Sequence, residues 1–278
     1  MSNLLSFSSV KLDLFSKEND RLKSASGFIL EASGRYYLVT NRHVLAGVDI
    51  DANRRPEPAI RPYFLKTSVH FHEGMGEKGA SPSMGLRKRI TMQLYDDKDG
   101  PRWIERQTKE GLQPIADMVA LPIHTNLTLT LFTANSPRLK EINIKKSSWN
   151  EYSDYWTKIS AIPMSAIDTD VDYGPPDPVH VIGYPLGWEP DGMDRTPSAF
   201  WRTSFIASEI YEPGARREDT FFVDPCASEG MAGAPVVGMK KDRLKLLGVY
   251  SDHSTAEFGA NAGLVCGAWL LKQLIHAS

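Results

Sequence analysis

The chain has 278 residues and a formal net charge of -2, room for one large domain or two small ones and not the charge of a dedicated nucleic-acid binder. Hydrophobic residues at 41% and charged residues at 24% match ordinary globular usage, and 21 glycines with 18 prolines require many turns. Two cysteines, Cys226 and Cys266, are too sparse a framework for a secreted protein of this size, so a reduced, cytoplasmic setting is expected.

The opening "MSNLLSFSSVKLDLF" has neither a basic start nor a long apolar core, so it is expected to be neither a signal peptide nor a membrane anchor. The period-two alternation of "VKLDLF" predicts a strand instead. "SGFILEASGRYYLVTN" then reads as two strands joined at "ASGR", because serine and glycine accept the positive φ of a tight hairpin turn. Residues 49–113 read as a long insertion with irregular loops at "NRRPEPAIRP" and "GMGEKGASPSMGLRKR". Within it, "KTSVHFHEG" and "RITMQLYDDKDGPRWIER" are strand-like, the second folding back at "DDKDGP". Further strands are predicted at "DMVALPI", "PVHVIGYP", "FWRTSFIASEIY", "DTFFVD", "APVVGM" and "LKLLGVYS". The polar stretch from Asn135 to Pro176 would connect two halves, and helical spacing is convincing only at about 267–276. Strands at this spacing predict an all-β sandwich or barrel closed by a C-terminal α-helix.

Three stretches carry chemistry. In "YLVTNRHVL" an apolar strand runs into a turn that presents His43, whose near-neutral pKa suits a general base and acid. Alone, this is equally a place for a structural histidine at the edge of a core. In "PIADMVALPI" Asp117 opens an apolar run, where a carboxylate either caps a turn or orients a histidine from a buried position. In "VDPCASEGMAGAPVVG" Gly230, Gly233 and Pro235 frame Ala232, so that the amides of Gly230 and residue 232 can converge on a developing oxyanion. A glycine-rich turn before a buried strand would look the same in isolation.

Taken together, His43, Asp117 and G-x-A-G-A-P resemble, in chain order and local context, the trypsin-like (chymotrypsin-fold) serine peptidases of an intracellular bacterial type. "VHVIGYPLG" looks like the strand and turn that begin that family's second barrel, and "LGVYSDHS" like the strand beside its specificity pocket. The resemblance implies two antiparallel six-stranded β-barrels, the first over 1–165 with His43 and Asp117, the second over 166–278 with the nucleophile loop 226–235. It implies His43 as general base, Asp117 as its orienting carboxylate, and Gly230 with Ala232 as the oxyanion hole. Its pocket floor falls at Cys226 and its opposite wall at Tyr250, Ser251, Asp252 and His253. Asp224, Asp252 or Glu229 would receive a basic side chain and His253 an acidic one. A basic residue is the expectation, because a buried carboxylate is the usual partner of a cation.

The departure from the family is at Ala232, which has no oxygen to attack a carbonyl. Retention of His43, Asp117 and the glycine frame favours a serine deliberately replaced in an otherwise active peptidase over a natural pseudopeptidase that binds peptide or protein. Neither Ser228, ahead of the turn, nor Ser251, where the family has a serine touching the triad carboxylate, is expected to restore activity.

His70 and His72, two apart on one strand face with Glu73 adjacent, could seed a metal site, but no third ligand stands at a recognisable spacing, so a solvent-facing strand is expected and no metal. "LRKRI" lacks the interleaved aromatics of a nucleic-acid patch, "GYPLG" lacks the lysine of a phosphate loop, and Cys226 reads as a structural thiol. The expectation is a serine endopeptidase acting on a protein or peptide substrate, without cofactor, nucleic acid or membrane. Control by a regulatory partner protein and a role in bacterial antiviral defence accompany it.

Overall fold

The computed structural model describes residues 2–47, 61–72, 87–105, 116–123, 129–131, 140–142, 158–168, 173–188, 199–210, 220–225, 227–240, 243–254 and 262–276. The chain opens with a short helix, α1 (Ser2–Ser8), followed by β1 (Ser9–Phe15), β2 (Arg21–Ala32) and β3 (Arg35–Thr40). At the β2–β3 turn Ser33 and Gly34 both have positive φ, 51° and 75°, the backbone that the "ASGR" signal predicts. One helical turn, α2 (Arg42–Ala46), follows directly and ends on left-handed Gly47.

Within the expected insertion, β4 (Phe64–His72) and β5 (Arg87–Gln93) are integral to the first sheet, since β4 pairs with β1. The turn at "DDKDGP" forms with Asp99 at φ 61°, but its return arm makes only isolated bridges, Tyr95 with Pro101 and Ile104 with Ala120. After β6 (Val119–Ile123) come the short β7 (Leu129–Leu131), β8 (Lys140–Ile142), β9 (Lys158–Ile159) and β10 (Ile162–Pro163). The main path of the first sheet is β5-β4-β1-β2-β3-β6, curled but not closed among the described residues.

The second half comprises β11 (Pro178–Gly183), β12 (Phe200–Ile206), β13 (Thr220–Asp224), β14 (Pro235–Lys240), β15 (Arg243–Ser254) and β16 (Ala262–Gly267), then helix α3 (Trp269–His276). These strands close into a six-stranded barrel in the order β11-β12-β13-β16-β15-β14, antiparallel throughout. The fold is all-β as expected, with a closed six-stranded barrel in the second half and, among the described residues, a curled half-barrel sheet in the first.

Alternation along β1 and β2 explains how the sheet serves two cores. Leu12 and Leu14 point inward with Ile29, Leu38 and Leu65 into a core of the first half. Phe28 and Leu30, of opposite parity on β2, join Val181, Val236, Val249 and Trp269 in a core shared by both halves. Each such side chain, fully buried, contributes about 1.5–3 kcal/mol.

β16 has no strand signal in its sequence because two of its residues are glycines. A Cβ on Gly263 would lie 2.5 Å from the Tyr250 ring, and one on Gly267 would overlap the Trp269 ring, so both glycines make room for aromatics. No helix among the described residues is long and apolar enough to cross a membrane.

Candidate functional site

The end of β3 and the start of β6 meet at the site. Thr40 and Asn41 are fully buried, and Asn41 donates its side-chain amide to the Asp117 carbonyl oxygen at 2.7 Å, holding the two chain segments together. α2 begins at the next residue, which is why His43 stands on the first turn of a short helix rather than on an open turn. Arg42, on the outer side, pairs with Glu105 at 3.0 Å, and Trp103 donates its indole N–H to the same carboxylate oxygen at 2.9 Å.

The Asp117 carboxylate meets three donors. Its Oδ2 lies 2.6 Å from His43 Nδ1 and accepts the Ser251 hydroxyl at 2.5 Å, while its Oδ1 accepts the His43 backbone N–H at 2.9 Å. An ionised carboxylate only accepts, so the Nδ1 facing it carries the proton, and in the neutral imidazole Nε2 then bears the lone pair. Burial by itself would raise the Asp117 pKa. The hydrogen bond and charge of His43, aided by the Ser251 hydroxyl and the His43 backbone N–H, outweigh burial and hold it below the ordinary carboxylate value.

The loop carrying Ala232 is fastened to both halves through its backbone. Ser26, on β2, donates its N–H to the Ala232 carbonyl at 2.9 Å and its hydroxyl to the Gly230 carbonyl at 2.8 Å. The same hydroxyl accepts the Tyr184 N–H at 2.9 Å. On the other side Gly233 donates to the Tyr250 carbonyl at 2.8 Å, and Tyr250 donates to the Ala234 carbonyl at 2.9 Å. The residue after Tyr250 is Ser251, so a single strand position joins the loop to Asp117.

Gly230 and Gly233 sit at φ 85° and 88°, which disfavours any side chain there. A Cβ on Gly233 would also overlap the Ser26 carbonyl and the Thr40 hydroxyl. Ala232 is partly buried against the core that holds Val44 and Leu45, the residues following His43. Among the described residues the N–H groups of Gly230 and Ala232 donate to no protein acceptor.

The structure therefore brings His43, Asp117, Ser251, Gly230 and Ala232 into one neighbourhood. Tyr250 belongs to the barrel interior instead of an open wall: it is 1% exposed, and its hydroxyl accepts the Ala227 N–H at 3.0 Å. Cys226 and the side chains of Asp252 and His253 lie outside the described residues. Asp224 and Glu229 are exposed, so neither supplies the buried carboxylate expected to receive a basic side chain. Ser228 accepts a hydrogen bond from Arg202 at 2.7 Å.

His70 corrects the solvent-facing expectation for its strand. It is 4% exposed, and its ring lies 5.2 Å from that of Phe7, because α1 folds back over β4. The His72 side chain and Glu73 lie outside the described residues, among which no group of metal-ligating side chains assembles.

Ser26, Asn41 and Tyr184 escaped the sequence reading. The only signal was the small-residue run Ser24, Ala25, Ser26, Gly27, which lets a second chain approach β2 closely; a Cβ on Gly27 would already be 2.8 Å from the Val39 carbonyl.

No family model matches the sequence, and no curated protein matches it. Solved structures do. The HtrA-type protease AlgW with tripeptide aligns at 14% identity with a TM-score of 0.48, covering 99% of this chain and 61% of that one. A substituted form of the same protein with tripeptide aligns at 14% identity and a TM-score of 0.47 over the same shares. The chain thus spans less than two thirds of the length of these structures, to which it is similar.

Proposed function

We propose that the chain is a trypsin-like serine endopeptidase acting on a protein or peptide substrate, in an unreactive form with alanine at the nucleophile position. The observation that carries this reading is the Asp117 carboxylate: it binds both the Nδ1 and the backbone N–H of His43, at 2.6 and 2.9 Å, and leaves Nε2 as the basic nitrogen.

With serine at 232, Nε2 would take the hydroxyl proton as the oxygen bonds to the substrate carbonyl carbon. The unpaired N–H groups of Gly230 and residue 232 would receive the oxyanion. The protonated imidazole would then hand its proton to the leaving amine, and a water deprotonated by Nε2 would release the acid. No metal or cofactor enters these steps. An unrestrained endopeptidase harms the cell that makes it, so narrow specificity or control by a partner protein belongs to the proposal. The resemblance adds a cytoplasmic setting and a bacterial defence role.

Ala232 favours a second reading, a binding module built on a peptidase cleft. Ala232→Ser separates the two. The revertant is expected to label with a fluorophosphonate and to cleave members of a broad peptide library, at a rate on the order of a millionfold above the present chain. Adding Asp117→Asn to the revertant should lower turnover about ten-thousandfold by removing the acceptor that fixes the His43 tautomer. A revertant that neither labels nor cleaves leaves the binding module as the function.

A further inference from the structure

Four consecutive carbonyls of the nucleophile loop, from Glu229 to Ala232, each accept a hydrogen bond. Glu229 accepts the Leu186 N–H at 2.7 Å, Gly230 the Ser26 hydroxyl at 2.8 Å, Met231 the Ala234 N–H at 2.9 Å and Ala232 the Ser26 N–H at 2.9 Å. In a trans peptide the N–H points opposite to the C=O of the same plane. The N–H groups of Gly230 and Ala232 are therefore turned away from the Leu186 and Ala234 donors, and among the described residues neither meets a protein acceptor. Leu186 stands at φ 52° and ψ 20° and is 75% exposed, so burial of its side chain does not offset the left-handed backbone. What its N–H gains there is the Glu229 carbonyl. A Cβ on Gly230 would lie 2.7 Å from the Leu186 nitrogen, so the turn after β11 rests directly on the loop.

Ser26 supplies two of these four bonds from the other half of the chain. It is fully buried, and its hydroxyl accepts the Tyr184 N–H at 2.9 Å while donating to Gly230, so one oxygen ties the root of the turn to the loop. A Cβ on Gly183 would lie 2.6 Å from that oxygen, and the glycine makes room for it. The N–H at position 26 would be present in any residue except proline; the hydroxyl is what serine adds. We propose that Ser26 is a positioning residue of the oxyanion-binding loop: its hydroxyl fixes the Gly230–Met231 peptide, and with it the direction of the Gly230 and residue 232 amides. The inference rests on the peptidase reading of the site. The hydroxyl touches no reacting atom. It acts by keeping the adjoining peptide planes from rotating, because donors stabilise a developing oxyanion best when they need no turning at the moment of reaction.

In the Ala232→Ser background, Ser26→Ala should lower kcat per fluorophosphonate-titrated site roughly tenfold to hundredfold, with KM changed less than about twofold. Affinity for a peptidyl trifluoromethyl ketone, built on a sequence that the revertant cleaves, should fall by a similar factor because its adduct places an oxyanion against the loop. Ser26→Cys, which keeps a weak donor of similar shape, should recover part of both losses. A residue that only supports the fold would lower the melting temperature and leave turnover per site and ketone affinity unchanged; that result overturns the proposal. Hydrogen exchange on the present chain tests the clamp without activity. The Leu186 amide should exchange about tenfold faster or more in Ser26→Ala, or in Ser26→Cys if the alanine variant does not fold, because the Glu229 and Gly230 carbonyls belong to adjoining peptide planes. Unchanged exchange also overturns the proposal. If exchange responds but the revertant neither labels nor cleaves, Ser26 stands as the clamp of the loop and the peptidase reading alone fails.

Discussion

Asp117 concentrates the electrostatics of the site in one carboxyl group. Its pKa is lower in the folded chain than the ordinary 3.8, so its contribution to stability is complete above that value and is lost as pH falls through the folded-state pKa. Denaturant melts of the present chain and of Asp117→Asn across acid pH should therefore show a stability gap that is widest near neutrality and closes below about pH 3.8. A gap independent of pH would mean that Asp117 acts through packing and not through its charge. Ser251 belongs to the same unit. Its hydroxyl donates to Oδ2 beside the His43 ring and keeps the carboxylate from rotating away from Nδ1.

At the scale of elements, the nucleophile loop is held by close backbone contact more than by side-chain packing. Gly233 has φ 88° and leaves no room for a Cβ beside Ser26 and Thr40. Gly233→Ala should cost more than about 2 kcal/mol in urea unfolding, from the left-handed backbone and the displaced β2 contact together. In the Ala232→Ser background it should also abolish fluorophosphonate labelling under conditions where the protein remains folded. An Ala substitution tolerated in both measurements would show that the loop is positioned by something other than its docking on Ser26. Ser26 itself illustrates why such residues are silent in a sequence: its N–H, hydroxyl and carbonyl each meet a partner, but the Gly230 and Ala232 partners lie more than two hundred residues away along the chain.

For the whole molecule, the core that joins the two halves decides how the site is kept together. Trp269 on α3 packs in the same cluster as Phe28 of β2, Ala120 of β6 and Val249 of β15. The second barrel is therefore sealed partly by residues of the first half. Trp269→Ala should remove about 3–5 kcal/mol and lower the melting temperature by about 10 °C. Calorimetry should still show one transition, because both halves lose the same core; two separated transitions would refute the coupling.

The sequence by itself determined the local features. Period-two alternation located β1, short β-type runs between turn signals located β2, β3, β11 and β14, turn chemistry placed the Ser33–Gly34 hairpin, and helical spacing placed α3. The order of His43, Asp117 and the Gly230–Gly233 frame supplied the residues of the proposed site. Alternation marks a strand's buried face but not which strands become neighbours. Only the tertiary structure therefore decided that β4 and β5 join the first sheet, and that Tyr250 fills the barrel instead of lining an open pocket. It also decided that the glycines of β16 yield space to aromatic rings, and that Ser26 of β2 reaches the Gly230 and Ala232 carbonyls. Each of these is a contact between residues distant in the chain, settled by which surfaces close on one another once the strands have formed.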